Sequence, residues 1–183
     1  MNIIDTFFGA VRCLEMPRFD DRRGSFIKCY NESEFRRCGM EASFRESYFS
    51  ISEKNVIRGM HFQIPPADHE KLVSVSFGAV RDVVLDIRKG SPTFGKAAGI
   101  ILSAENNYAL FIPRGFAHGF LSLEDHTIMN YLVTCGHSPE HDKGILWNSF
   151  GCDWGVSDPL LSERDRALIP LDEFNSPFIY HGE

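Results

Sequence analysis

Short apolar stretches rich in β-branched and aromatic residues recur along this chain, and polar turn-forming residues separate them. The stretches are Ser25–Tyr30, Val56–Phe62, Leu72–Phe77, Val80–Ile87, Ala97–Leu102, Tyr108–Ile112 and Thr127–Thr134. Turn chemistry separates several of them, at Gly78-Ala79, Lys89 to Pro92 and Glu105 to Asn107. This pattern predicts antiparallel strands that pack as a sandwich or a barrel.

Helical signals are few and short. One helix is predicted from Glu32 to Cys38, because Asn31 can cap it and Glu34 lies at the spacing of a capping box. From Asp153 onward, polar loops alternate with short helical signals, which predicts a tail that wraps around the barrel. We therefore expect an all-β fold, an antiparallel β-barrel with a few short helices, in one domain that spans residues 1–183.

The composition agrees with one compact cytoplasmic domain. The chain has 183 residues, of which 43% are hydrophobic and 13% aromatic, so it can build a substantial core. No apolar run approaches the length of a membrane span, and the first residues lack the basic and apolar zones of a signal peptide. The five cysteines are scattered, without a C-x-x-C pair or a zinc-ligand spacing, and we expect free, buried thiols.

The charge balance excludes some partners. A formal net charge of −6 gives no general attraction to nucleic acid or to an anionic membrane. We therefore expect no nucleic-acid partner and no membrane partner, and an anionic ligand would have to be held by local cations.

Candidate chemistry is concentrated around His61 and His118. Their segments are Arg58-Gly59-Met60-His61-Phe62-Gln63 and Ile112-Pro113-Arg114-Gly115-Phe116-Ala117-His118-Gly119-Phe120. A metal-binding cupin, which is a small jelly-roll barrel, carries two histidines one residue apart, then a glutamate, and later the motif Pro-x-Gly-x-x-His. Here Gln63 stands at the second histidine and Lys71 at the glutamate. A fixed ammonium repels a divalent cation, so we expect no metal. A histidine base beside a lysine cation suits proton abstraction next to a carbonyl.

Each candidate also has a purely structural explanation when it is judged alone. His118 can belong to a corner of the barrel, Tyr131 can be a core aromatic residue, and Asp165 lies in what resembles a solvated charged turn. Several polar residues on strands around one barrel are nevertheless costly to bury without a ligand. This cost favours a functional role for the group around His61.

The chain resembles the dTDP-4-dehydrorhamnose 3,5-epimerase family of the cupin superfamily over nearly its whole length. Blocks typical of that family occur in order and at matching spacing. They are Phe19 to Gly24, Asn55 to Gln63, Asp86 to Gly95, Leu102 to Asn106, Gly115 to Phe120, Trp147-Asn148 and Leu161 to Asp165. The resemblance implies a cupin-type jelly roll and a homodimer whose subunits exchange N-terminal strands. It also implies epimerisation of a nucleotide-linked 4-keto-6-deoxyhexose at carbon 5, carbon 3 or both, without a metal or an organic cofactor.

The resemblance also implies roles for individual residues. His61 is the expected base, Asp165 the carboxylate that orients it, and Tyr131 the acid on the opposite face. Substrate contacts are expected from Arg23, Arg58, Lys71, His118, Asp142 and Arg164. Because a 4-keto group acidifies the protons on both neighbouring carbons, inversion needs a base, a stabiliser for the enolate and an acid. His61, Lys71 and Tyr131 can supply these three parts.

The chain departs from the family at residues expected to contact the substrate. Lys28 replaces a glutamate, Glu46 and Tyr48 replace Gln and Asn, and His137 replaces an aromatic residue near the base. Gln63, in the place of a metal ligand, is a further candidate contact. Since Lys28 only donates hydrogen bonds and an ionised Glu46 only accepts them, we hypothesise a CDP- or GDP-linked sugar in place of a dTDP-linked one.

Other functions stay open on the sequence alone. A ketoisomerase on the same scaffold would move the keto group from carbon 4 to carbon 3, but Tyr131 in its family position favours epimerisation. A cupin that only binds a nucleotide sugar would need neither base nor acid. A metal-dependent dioxygenase would need the missing ligands.

Overall fold

The computed structural model describes residues 1–40 and 43–182. Its strands are β1 (Asn2–Phe7), β2 (Val11–Glu15), β3 (Arg18–Asp21), β4 (Gly24–Ile27), β5 (Glu46–Ser52), β6 (Ile57–Gln63), β7 (Lys71–Phe77), β8 (Ala79–Asp86), β9 (Ala97–Ser103), β10 (Tyr108–Ile112), β11 (Phe116–Ser122), β12 (Thr127–Val133) and β13 (Asp142–Gly144). The helices are α1 (Glu32–Arg37) and α2 (Glu163–Arg166), and a 3₁₀ helix covers Leu171–Glu173. The predicted all-β fold with a few short helices is confirmed.

Two antiparallel sheets face each other. One has the strand order β1-β2-β10-β7-β12-β5 and the other β13-β6-β11-β8-β9, while β3 and β4 form a separate hairpin. Core residues of both sheets pack together between them, among them Val73, Leu110 and Met129 from the first sheet and Val84 and Phe120 from the second. This apolar layer gives the jelly-roll barrel and fixes the strands that carry the candidate site.

The predicted strands agree closely with the structure, except that β4 ends at Ile27 and does not reach Tyr30. The prediction missed β1, β2, β3, β5, β11 and β13. β5 was missed because its alternation is inverted, with polar side chains toward the barrel interior and Phe49 and Ile51 exposed outside. β11 was missed because every residue of the strand is buried, so it shows no alternation.

The predicted helix and the predicted tail are both present. α1 begins after Asn31, whose side chain accepts a hydrogen bond from the Glu34 amide at 3.1 Å, and it ends at Arg37, one residue before the predicted Cys38. The C-terminal tail packs Trp154 and Phe178 against the five-stranded sheet. This packing confirms that the tail wraps the barrel. The same tail places α2 next to β6.

β6 and β11 approach each other closely at two glycines. A Cβ at Gly59 would lie 2.5 Å from the Gly119 Cα, and Gly59 has φ of +136°, a region that side chains rarely adopt. The close approach lets β6 pair with β11 so that His61 and His118 are direct cross-strand partners. The backbone thus gathers both histidines on one sheet.

No helix within residues 1–40 and 43–182 is long and apolar enough to cross a membrane. The cysteines are free, as expected, but the expectation of burial is confirmed only for Cys13. Cys29 is exposed, because it lies just beyond β4 on the surface hairpin.

Candidate active site

His61 is bound to a buried carboxylate. Its Nε2 lies 2.6 Å from Oδ1 of Asp165, and the Gly59 amide donates to the other carboxylate oxygen at 3.4 Å. Burial raises the pKa of Asp165, but the hydrogen bonds from His61 and Gly59 lower the pKa by more. The net pKa therefore lies below the ordinary value. The ionised carboxylate therefore holds the imidazole proton on Nε2, which leaves Nδ1 of His61 as the basic nitrogen.

Asp165 reaches this position through α2. The hydroxyl of Ser162 caps the helix and accepts a hydrogen bond from the Asp165 amide at 3.0 Å. Asp165 is only 3% exposed, so the solvated turn that its local sequence resembles is not what forms. The Asp165 carboxylate faces inward, although it lies in a segment of charged residues.

Lys71 begins β7 on the facing sheet and is buried. Its Nζ donates to the backbone carbonyl of His61 at 3.1 Å. Burial lowers the pKa of Lys71 to about 8, although Asp142 and Asp82 oppose the shift. The side chain is thus a cation at neutral pH that has lost most of its solvation, and such a cation strongly stabilises a nearby negative charge.

A second imidazole–carboxylate pair lies beside the first. Nε2 of His118 and Oδ2 of Asp82 are 2.9 Å apart, and both side chains are buried. Burial raises the pKa of Asp82, and His118 offsets part of this rise. Asp82 was not singled out from the sequence, although an acidic residue in the middle of the largely apolar strand β8 is a signal of a buried polar pair.

Tyr131 projects from β12 toward the same space. Its ring meets the His118 ring edge-on, with centroids 6.2 Å apart, and stacks on the Tyr48 ring at 4.7 Å. Burial raises the pKa of Tyr131 well above its ordinary value, while the neighbouring Ser50 hydroxyl lowers it in part. Tyr131 therefore keeps its proton at neutral pH and can serve as a donor.

These side chains border two adjoining cavities. The larger, of about 390 Å³, is lined by Glu46, Gln63, His69, His137 and Asp142 among others. The smaller, of about 290 Å³, is lined by Ser50, Arg58, His118, Tyr131 and Asp165 among others. Tyr48, His61, Lys71 and Arg164 line both cavities. Together they form one elongated site with His61 at its centre.

Cations lie at the mouth of this site. Arg58 is held by Ser52, whose hydroxyl accepts from Nε at 3.0 Å, and by the Ile51 carbonyl at 3.1 Å. Arg164 pairs with Asp142 at 2.8 Å. Both arginines keep part of their forked donors free for an anion, as a diphosphate requires.

Within the described residues, no group of three or more His, Cys, Asp and Glu side chains is placed to hold a metal ion. Gln63 and Lys71 occupy the positions that a metal-binding cupin gives to ligands, and the Lys71 amine disfavours a cation there.

Comparison with known proteins gives a consistent result. The sequence profile of the dTDP-4-dehydrorhamnose 3,5-epimerase family matches residues 6–173. The dTDP-4-dehydrorhamnose 3,5-epimerase of Escherichia coli (strain K12) is 45% identical over 177 residues, which cover 94% of this chain and 96% of the relative. The chain belongs to this family. It is an isomerase of the epimerase class that acts on a nucleotide-linked 4-keto sugar, as predicted, and the ketoisomerase and binding-protein alternatives are not favoured.

Solved structures agree with the family assignment. The Bacillus anthracis str. Ames enzyme, crystallised with TDP and PPi bound, is similar with a TM-score of 0.90 at 43% identity, covering 92% of this chain and 98% of that one. The Legionella pneumophila Philadelphia 1 enzyme, in complex with dTDP-4-keto-L-rhamnose, has a TM-score of 0.94 at 35% identity and covers 99% of both chains. The predicted cupin-type jelly roll is thereby confirmed.

Two residues at which contacts with the substrate are expected also hold a loop. Oε2 of Glu46 accepts from the His137 amide at 2.9 Å, and Oε1 of Gln63 accepts from the Ser138 amide at 2.6 Å. The Gln63 amide nitrogen donates to the Ala67 carbonyl at 2.8 Å. These bonds position the loop at the cavity wall, which both side chains line.

The structure does not bring Arg23 and Lys28 to the site of the same chain. Arg23 lies at the tip of the β3–β4 hairpin, 85% exposed, and its guanidinium pairs with Asp21 at 2.6 Å. Lys28 lines a separate groove with Met1 and Phe19. Arg23 lies in the β3–β4 hairpin and Lys28 directly follows it. This hairpin forms a sheet separate from the two large ones.

Proposed function

We propose that this enzyme inverts both carbon 3 and carbon 5 of a dTDP-linked 4-keto-6-deoxyhexose, and that residues 1–183 act as one domain. The observation that carries the proposal is the placement of His61 and Tyr131 on facing sheets around one cavity, with the buried Lys71 cation beside them. A flat enolate between these sheets has a base on one face and an acid on the other.

The chemistry follows from these three groups. Nδ1 of His61 removes the proton next to the keto group, and the electron pair of the broken C–H bond moves onto the keto oxygen. The Lys71 ammonium stabilises that oxygen as it becomes negative. The Tyr131 hydroxyl then delivers a proton to the opposite face, which inverts the carbon. Water returns a proton to the phenolate, and the His61 imidazolium releases the abstracted proton to the solvent, so both groups are restored. The same cycle at the second carbon completes the double inversion.

Arg58, Arg164 and His118 are the proposed substrate contacts from the same chain, and Asp142 orients Arg164. Arg23 and Lys28 are proposed to come from a second copy of the chain, whose hairpin reaches into this site. The hairpin supports this arrangement because Phe19 is 57% and Phe26 is 62% exposed on it. Such an apolar surface is typical of a covered interface.

The nucleotide is proposed to be dTDP, for two reasons. The similar enzymes were crystallised with TDP or with a dTDP-sugar. Glu46 also favours CDP or GDP less than its sequence position suggests, since its carboxylate accepts a hydrogen bond from the His137 amide. We propose a cytoplasmic location, which agrees with five cysteines that are all free.

A solvent deuterium exchange assay tests this function. The 4-keto-6-deoxyglucose nucleotides of dTDP, UDP, CDP and GDP are incubated in deuterated water, with and without a chelator. We expect fastest exchange with the dTDP sugar, at carbons 3 and 5, unchanged by chelation. Absence of exchange from every sugar would reject the function. Fastest exchange from the CDP or GDP sugar would reject the nucleotide, and loss of activity that a metal restores would reject the metal-free mechanism.

A further inference from the structure

Tyr48 and Tyr131 form a cross-strand pair at the centre of the site. They lie directly opposite each other on β5 and β12, and their rings stack with centroids 4.7 Å apart and an interplanar angle of 15°. Tyr48 lines both cavities, whereas Tyr131 lines only the smaller one among the lining residues described. Tyr48 therefore covers one face of the acid and separates it from the larger cavity.

The acid needs such support because its strand neighbour is an edge strand. β5 is hydrogen-bonded to β12 and ends the six-stranded sheet on that side. The proton donor must nevertheless be held to within a fraction of an ångström of its productive position relative to the reacting carbon. Two ring contacts restrain the phenol, the Tyr48 stack and the edge of His118. An aromatic pair of this kind restrains both rings at once.

The Tyr48 hydroxyl is not needed for this role. Burial raises the pKa of Tyr48 to about 12, and Glu46 and Asp142 add to the rise, so the phenol is neutral and carries no useful charge. What faces Tyr131 is the flat ring. The family residue at this position is an asparagine, which has no ring to stack.

We propose that Tyr48 is a positioning residue whose ring holds Tyr131 at the angle required to protonate the opposite face of the enolate. The inference rests on the proposed function. Tyr48 then sets how often a deprotonated sugar is inverted and how often His61, after its proton has exchanged with the solvent, reprotonates the original face. Deprotonation itself depends on His61 and Lys71, so it does not depend on the stack.

Three proteins test the proposal, namely wild type, Tyr48→Phe and Tyr48→Asn, all with the dTDP-linked 4-keto sugar. Mass spectrometry gives total deuterium uptake, and proton NMR of the product gives inversion. We expect Tyr48→Phe to keep the wild-type ratio of inversion to uptake, because the ring remains. We expect Tyr48→Asn to lower that ratio about threefold to tenfold. Thermal unfolding and far-UV circular dichroism show whether each variant is folded.

Each other outcome contradicts the proposal in a recognisable way. An unchanged ratio in Tyr48→Asn would reject it, and an equal drop in Tyr48→Phe would assign the effect to the hydroxyl. A parallel loss of uptake and inversion in folded Tyr48→Asn would mean that Tyr48 shapes substrate binding only. Absence of uptake in the wild type would reject the proposed function along with this inference, whereas the first three outcomes leave the proposed function standing.

Discussion

The hydrogen bond between His61 and Asp165 decides which nitrogen of the proposed base is free to accept a proton. The carboxylate fixes the proton on Nε2, so only Nδ1 can take a proton from the sugar. Replacement of His61 by asparagine removes the proposed base and leaves a polar side chain at this position.

We expect His61→Asn to fold normally and to lower deuterium uptake about 10²- to 10⁴-fold, the range typical of general base catalysis. The measurement is the initial rate of uptake at saturating substrate, with circular dichroism to verify the fold. Asp165→Asn is the matched variant, and we expect a smaller loss because the imidazole stays in place with its tautomer unfixed. A His61→Asn protein that keeps more than about a tenth of the wild-type rate would show that the base is another residue.

The pH dependence of the rate follows from Lys71. Its pKa is lowered to about 8, chiefly by burial. Because only the protonated ammonium stabilises the enolate, we expect the rate of uptake to fall as the pH rises through about 8. Uptake measured from about pH 6 to 10 tests this, and a rate that is flat or rising across that range would contradict the assigned role of Lys71.

The same group has the opposite effect on stability. Between the folded pKa of about 8 and the ordinary value of 10.5, the unfolded chain binds more protons at Lys71 than the folded chain. The contribution of Lys71 to the free energy of unfolding therefore rises with pH over this window, by about 3 kcal/mol in total. Urea unfolding at several pH values shows this rise in the wild type, and Lys71→Met should lack it.

At the scale of elements, β5 has its polar side toward the site and its apolar side toward solvent. Phe49 is 63% and Ile51 is 53% exposed on this edge strand. An exposed apolar edge is a template for association, so we expect a second copy of the chain to cover it.

We expect Phe49→Glu to abolish the dimer, because the interface would then bury an unpaired carboxylate. Sedimentation velocity at micromolar concentration measures the species present. Ile101→Glu is the matched control, since Ile101 is 46% exposed on β9, the edge strand of the other sheet, and this variant should remain dimeric. A dimeric Phe49→Glu protein, or a monomeric wild type, would place the interface elsewhere or remove it.

At the scale of the whole molecule, the proposed exchange of hairpins makes each site a product of two chains. Arg23 would then serve the site that contains His61 of the other copy. A variant that lacks Arg23 and a variant that lacks His61 should therefore form a mixed dimer in which one site has both residues and is active.

We expect Arg23→Ala and His61→Asn, each weakly active or inactive alone, to recover about a quarter of wild-type activity when they are co-expressed. In a mixed dimer, one site then has both intact residues and the other has neither. Tagging the two chains differently allows the mixed dimer to be purified and assayed. If no activity returns in that purified dimer, Arg23 does not act across the interface.

The sequence by itself predicted seven of the thirteen described strands, the resemblance to the family and the candidates for the base, the cation and the acid. Strand periodicity and the motifs around His61 and Lys71 are local properties, which can be recognised without knowing which strands pair. Family resemblance alone named Tyr131 and Asp165, since Tyr131 by itself indicated a core aromatic residue and Asp165 a solvated turn.

Only the tertiary structure decided how these residues meet. His61 and Asp165 are separated by 104 positions in the chain, and the stack of Tyr48 on Tyr131 depends on the register between β5 and β12. The structure alone showed that Asp82 pairs with His118 and that Glu46 holds a loop amide. Such contacts depend on how two sheets pack and in which register, and no local pattern of polar and apolar residues specifies that.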